Sequence, residues 1–464
     1  MPIANTSSWP NALEKIEHPG LFNANIAAQL SAKEDIMDRT AKGRLVLFLG
    51  FLFYTMPAFS AGAWLYETGI PTVGTAGAGR AALAADASAA LNNPAGLVYL
   101  DSSNLLGGAS LMFNEVNFRT ESTTISGAGE TNAGKFFPSP GFYYSSNPAP
   151  RLFSDLKMGF SYCSWISYHF KYKGDWPGRY YVRESQLTTF RSNPVVAYPI
   201  LPWLSAGAGA FFVYGKLKQS EALNNSQDAL SDGRLRVEES ASGFGGNGGI
   251  MISPLPGFRF GVTYRSPLHL TFRSPAAIEN IGPTLRDSLV SSNLLATRIK
   301  LDMTLPQEIL AGFYAEIFPN LAVMLDGSWQ DWAQFGDDAL APVASNEIPT
   351  LSRDRHFKST WHAAIGVHYR VLQCLLVKTG FGYDSSPVDK EDRTPDLPLD
   401  RQFRYAGGLQ YDLPRNVFVG ADYEYIGLGK APIAQNQGAL AGSLVGEYGT
   451  DHSNIANVYA GWRF

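Results

Sequence analysis

The sequence predicts an all-β chain, a 14-stranded antiparallel transmembrane β-barrel, on three observations. After residue 100, apolar and polar residues alternate with a period of two almost throughout. The links between these runs are short and long by turns. The chain ends on "NVYAGWRF", an alternating run that closes on an aromatic, like the C-terminal insertion signal of bacterial outer-membrane barrels. A transmembrane barrel has one rim of tight turns, one rim of long loops and an even strand number. A soluble sandwich has no reason to lengthen every second loop.

Composition agrees. Charged residues are 17% of the 464, against about 25% in ordinary domains, while aromatics reach 13%. This suits a β-protein whose outer face meets something other than water. A mean hydropathy of −0.09 is too low for a bundle of membrane helices. The net charge of −4 offers no basic field for nucleic acid. Cys163 and Cys374 lie far apart in strand-like runs, which argues against a disulfide framework or a zinc cluster.

Residues 1–36 are polar and mixed, with no fold signal; Met37 begins a signal of normal length, so this leader reads as an over-extended start. Lys42 and Arg44 precede "LVLFLGFLFYTM" (45–56), and "AFSA" (58–61) follows. A basic start, an apolar core too short to span a bilayer comfortably, and small residues at −3 and −1 make 37–60 a secretory signal peptide. Cleavage is expected after Ser60, with Ala63 as the alternative site and a membrane anchor as the alternative reading. Residues 61–100 are rich in small residues and contain "AALNNPAGLVYL" (89–100). There Pro94 fixes its own φ and pushes Asn93 out of the helical region, so a rigid turn precedes the first strand.

The barrel is expected over 101–464. "LKMGFSYCSWISYHF" (156–170) sets Leu156, Met158, Phe160, Tyr162, Ile166, Tyr168 and Phe170 on one face, with Trp165 as an exception on the other. "FRFGVTYR" (258–265) and "WHAAIGVHYR" (361–370) alternate in the same way, as do 403–411 and 417–425. Short links are expected near 147–155, 199–203, 254–257, 318–320, 371–373 and 412–416. Long ones are expected near 119–134, 171–185, 219–236, 268–300, 333–358, 384–401 and 427–454. Six short and seven long links separate 14 strands, of which the first, second, fourth and sixth are the least marked. Both barrel ends then lie on the short-link, periplasmic side. Gly207, Gly209, Gly366, Gly380, Gly382, Gly407 and Gly408 fall inside strands, where they permit curvature and close approach of internal structure.

The segment 61–100 resembles the start of mature members of the FadL/TodX family of outer-membrane long-chain fatty-acid and hydrocarbon transporters. Ala85, Asp86 and Ala87 match its acidic small-residue stretch, and Asn93, Pro94 and Ala95 match its Asn-Pro-Ala motif. "LPQEI" (305–309), "DGSWQDWAQF" (326–335), "FGYDSSPV" (381–388) and "TPDLPLDRQF" (394–403) extend the resemblance over 61–464. It implies a 14-strand barrel with residues 61–100 folded inward as a hatch that plugs the lumen, and Asn93, Pro94 and Ala95 as its gating turn. It also implies a lysine at the start of the strand after the fifth long loop that meets the ligand's carboxylate, here Lys358. The family's second basic group has no clear match: "YGKLKQSEAL" (214–223) has Lys216 and Lys218 and then Glu221.

"GTAGAGRA" (74–81) lacks the lysine and the glycine spacing of a phosphate loop. The seven histidines show no metal spacing, and His362 and His368 fall on the polar face of one strand, toward the lumen. No nucleophile–base pair stands out, so no enzyme and no cofactor are expected. The resulting expectation is a monomeric bacterial outer-membrane channel for passive uptake of hydrophobic compounds, most specifically long-chain fatty acids. Its long loops would be extracellular and both termini periplasmic. Its partners would be the ligand, outer-membrane lipids and lipopolysaccharide, and the barrel-assembly machinery during insertion. The alternatives are an aromatic-hydrocarbon channel of the same fold, an open porin, and a structural or adhesive barrel without transport.

Overall fold

The computed structural model describes residues 64–146, 155–275, 277–291, 298–342, 351–449 and 451–464. All of them belong to one compact unit, Ala58–Phe464. The expected leader and signal peptide lie outside the described residues.

Alternation without helical periodicity produces strands, and 14 of them close into one antiparallel barrel. In chain order these are β1 (Asn104–Glu115), β2 (Phe136–Ser146), β3 (Lys157–Ser164), β4 (Glu184–Leu201) and β5 (Leu204–Leu223). There follow β6 (Gly233–Leu255), β7 (Phe258–Arg265), β8 (Glu308–Phe318), β9 (Leu321–Gln330) and β10 (Thr360–Leu372). The set ends with β11 (Leu375–Asp384), β12 (Gln402–Leu413), β13 (Val417–Gly427) and β14 (His452–Arg463). Closure is made by β14 on β1, from Asn104↔Arg463 to Glu115↔His452.

The pleat sorts side chains inside out relative to a soluble protein. On β7, Phe260 and Tyr264 face outward and are exposed, while Thr263 and Arg265 face inward and are buried. On β12, Phe403 and Tyr405 point out and Gln402 and Arg404 point in. The exposed apolar face covers the outer wall, which is stable only against lipid.

Five of the six short links are present where expected; the sixth, near 147–155, lies almost wholly outside the described residues. The long ones carry structure of their own. The link 266–307 contains the antiparallel pair Leu268–Pro275 and Arg298–Leu305. Half of the expected link 219–236 is strand instead: β5 and β6 stay paired out to Leu223↔Gly233. Both runs are polar there because the hairpin continues into water, and polarity hides a strand that no longer faces lipid.

A second departure lies in β3. The run 156–170 was expected as one strand, but it ends at Ser164 and resumes only over Tyr168–Lys171. Ile166 and Tyr168, expected on the outer face with Met158, are buried. Trp165 breaks the pattern because it is packed edge-on against Trp64, with ring centroids 5.4 Å apart.

Residues 64–100 form short 3-10 turns at Pro71–Thr75 and Pro94–Tyr99 and a one-turn helix at Ala89–Asn92. Nearly all of this segment is buried; Ala85 is its one exposed residue. It lies against the inner wall, and the wall glycines admit it. A side chain on Gly380 would collide with the Thr75 carbonyl, one on Gly261 with the Ala81 carbonyl, and one on Gly207 with the Pro94–Ala95 backbone. Gly366 and Gly382 also touch this segment, whereas Gly209, Gly407 and Gly408 meet only barrel atoms.

Candidate functional site

Three features lie along the N-terminal segment inside the barrel: two are near the long-loop ends of the strands, and the other, the Asn-Pro-Ala turn, is nearer the short links at Ser205 and Ile250. The first is a layer of buried charge. Inward-facing positions near the long-loop ends of successive strands bring Arg265, Glu308, Gln330, His362, Asp384, Arg404 and Glu424 to one level. Tyr66, Glu67 and Arg80 of the N-terminal segment enter this layer. The Arg404 guanidinium pairs with Glu67, Asp384 and Glu424. His362 Nδ1 lies 2.7 Å from Asp384. Glu308 pairs with Arg265 and, at 3.5 Å, with Arg80. The Tyr66 ring lies between the guanidinium groups of Arg80 and Arg404, 4.1 and 4.7 Å from its centroid. Its hydroxyl donates to Asp384 at 3.4 Å and accepts from Gln330 at 3.1 Å. Buried charges are tolerated only when paired, so the layer fastens the segment to the wall. Lys378 and Asp422, 2.6 Å apart, form a further buried pair, and Lys378 also donates to the Pro71 carbonyl at 2.8 Å.

The second feature is the Asn-Pro-Ala turn. Asn93 is extended (φ −144°, ψ 105°), as a residue before proline must be. Its Nδ2 donates to the Ala81 carbonyl (2.8 Å) and to the Ile250 carbonyl of β6 (3.2 Å), and its Oδ1 accepts from Ala95 N–H (3.1 Å). The Ala95 carbonyl accepts from Ser205 of β5 at 3.0 Å. One amide side chain thus joins two parts of the segment to the wall.

The third is a cleft above Trp64–Glu67. Met112, Val116, Phe137, Phe170, Ile426 and Leu428 give it apolar walls, and Glu67, His169, Arg404 and Asp451 give it a polar edge. Burial pushes the Asp451 carboxyl up to about 7, although it accepts from Asn117 N–H at 2.8 Å. The cleft adjoins a break in the wall. The β2–β3 ladder stops at Gly141↔Cys163, so Phe136–Pro140 pair with β1 alone. Pro138 and Pro140 have no N–H to offer a neighbour. Beyond the break the chain rejoins through Lys171 N–H to the Ala133 carbonyl at 3.0 Å. Trp64 fills the inner side of the break, bridging to Ile166.

Lys358 stands apart from these three. It precedes β10 at the long-loop rim, where its ammonium pairs with Asp389; both side chains are more than half exposed, at 59% and 57%. Asn93, Pro94 and Ala95 are buried together, and Lys358 does not join them. The charge layer was not anticipated beyond His362. Its signal was available: on strand after strand the polar member of the alternation nearest the long link is charged or an amide.

Closed barrel, lipid-facing apolar wall and occupied lumen define an outer-membrane transport barrel. Residues 51–462 match the model of a family described as outer membrane protein transport protein (OMPP1/FadL/TodX), and the chain belongs to that family. It is therefore a transport channel rather than an enzyme, located in the outer membrane. Among its relatives is the long-chain fatty acid transport protein of Escherichia coli O6:H1, 24% identical over 416 residues, covering 84% of this chain and 92% of that one. A Pseudomonas aeruginosa FadL homologue of known structure shares the fold with a TM-score of 0.77 at 17% identity, covering 87% of this chain and all of that one. The Ralstonia pickettii toluene transporter TbuX aligns with a TM-score of 0.60 at 16% identity, covering 86% and 99%.

Proposed function

We propose that this channel takes up long-chain fatty acids passively, capturing them in the cleft above a hatch formed by residues 61–100. The observation that carries this reading is the cleft itself: an apolar chamber that adjoins an unpaired seam of the wall and is floored by a segment filling the lumen. A water-filled pore is not supported, because the lumen is packed with buried side chains. An apolar ligand gains by leaving water for the cleft, and the β2–β3 seam offers it a path that needs no opening of the charged layer. Asn93, Pro94 and Ala95 hold the hatch closed. Lys358, exposed at the long-loop rim, meets the carboxylate there, exchanging Asp389 for it. Ligand, lipopolysaccharide and the barrel-assembly machinery are the partners of this reading, and the protein acts as a monomer with its long loops outside and both termini periplasmic.

Because Lys358 already has a partner and is exposed, an uncharged aromatic hydrocarbon is the second reading. Purified protein in liposomes tests both. Radiolabelled oleate should enter and sugars should not cause swelling. Entry of toluene without oleate selects the second reading, and swelling with sugars contradicts both.

A further inference from the structure

Arg191 of β4 is fully buried, at 1% exposure, and among the described residues it donates no hydrogen bond and forms no ion pair. Its Nε and Nη1 are enclosed and unpartnered. A buried guanidinium normally carries a carboxylate, since an unpaired buried charge is strongly destabilising. What surrounds Arg191 instead is aromatic: its guanidinium carbon lies 5.3 Å from the Trp165 ring and 5.4 Å from the Phe211 ring. It lines a second cavity, on the inner side of the Trp64–Ile166 bridge, just behind the break between β2 and β3.

Two more arginines line the same cavity, and each has a donor to spare. Arg80 spends Nε on the Gly77 carbonyl (3.1 Å) and Nη1 on Glu308, leaving Nη2 unpartnered. Arg265 spends Nη1 on Glu308 and Nη2 on the Leu91 and Asn92 carbonyls (2.7 and 3.1 Å), leaving Nε unpartnered. No acidic residue lines the cavity among the described residues. Glu308, the acid nearest by its pairings, is occupied by Arg80, Arg265 and Gln330.

We infer that this cavity is an anion site, with Arg191 as its principal donor, for the carboxylate of an amphiphile whose chain lies in the adjoining cleft. The inference rests on the proposed function and narrows its substrate to acids over neutral hydrocarbons. Guanidinium presents parallel donors that match a carboxylate's two oxygens. The free space beside it is far too small for a hydrocarbon chain, so only the polar end of a ligand can enter it. Trp64 and Leu65 line both chambers, so a head group in one can continue into a tail in the other. This site is separate from Lys358, which stays at the rim.

The test compares oleate with methyl oleate, and with acetate as a carboxylate without a tail, by fluorescence displacement in detergent. In wild type, oleate should bind at least ten-fold more tightly than methyl oleate, and acetate should not compete. In Arg191→Met that preference should vanish, while Arg191→Lys should retain part of it. Lys358→Ala should leave most of it. Should Arg191→Met not fold, the ionisation of carboxyl-labelled oleate bound to the Lys358→Ala protein, followed by carbon-13 NMR, decides. A carboxylate that stays charged at a pH where micellar oleate is protonated supports the site, and ordinary titration overturns it. Equal affinities for oleate and methyl oleate in wild type overturn it even if uptake into liposomes is brisk. An Arg191-dependent preference upholds it even if uptake fails.

Discussion

Besides bonding the Ile250 carbonyl of β6, Asn93 satisfies two buried backbone groups outside any strand ladder, the Ala81 carbonyl and the Ala95 N–H. Asn93→Ala leaves them without partners, at about 1–3 kcal/mol for each buried group left unsatisfied. The cost falls on the N-terminal segment and not on the barrel ladders, which form between backbone groups. The variant should keep the folded electrophoretic mobility of wild type and show higher conductance in planar bilayers. Wild-type conductance would exclude a gating role. Lys358→Ala should weaken oleate binding by no more than about five-fold, because an exposed pair contributes roughly 0.2–1 kcal/mol. A displacement titration showing a much larger loss would place Lys358 inside the site. Asp451 titrates near 7 in the fold against an ordinary value near 4. The folded state therefore binds this proton more tightly than the unfolded chain. The stabilisation is full below about pH 4 and is lost as pH rises to about 7. Amide exchange at Leu428, which donates to the Asp451 carbonyl at 2.9 Å, should quicken over that window after correction for intrinsic rate. Asp451→Asn should flatten the dependence. At this scale the sequence was partly legible: Asn-Pro announced its turn, whereas Arg191 and the charge layer depend on which strands become neighbours.

Strands were the most legible elements, because a lipid-facing wall repeats one apolar–polar pattern on every crossing. The break in β3 was visible only as Trp165, the residue that did not fit. What makes it a break is Trp64, about 100 residues earlier in the chain and invisible to periodicity. The glycines split on the same ground. Gly380 and Gly207 meet the N-terminal segment while Gly407 and Gly408 meet barrel atoms, and nothing in their strands distinguishes them. Gly380→Val tests the close approach. The side chain would strike the Thr75 carbonyl, so if residues 64–100 close the lumen as proposed the segment should unseat and conductance rise, with the barrel still folded. Gly407→Val, with no atom of that segment near it, should leave conductance unchanged.

For the molecule as a whole, the outer wall fixes the environment and the inner contents fix the function. An apolar exterior requires a membrane; residues 64–100 lie buried against the inner wall; an apolar cleft over them, beside an unpaired seam, agrees with the family's transport of hydrophobic compounds. The strand count and loop alternation carried the first of these from sequence. The inward-folded segment and a hydrophobic cargo were implied by the family resemblance of residues 61–100, and the cleft beside the seam needed the folded chain. The most direct measurement is the position of a brominated long-chain fatty acid in crystals of the protein, located by anomalous scattering. The account predicts bromine in the cleft between Trp64 and Phe170, facing the β2–β3 seam. Bromine confined to the outer surface of the barrel, with the cleft empty, would contradict it.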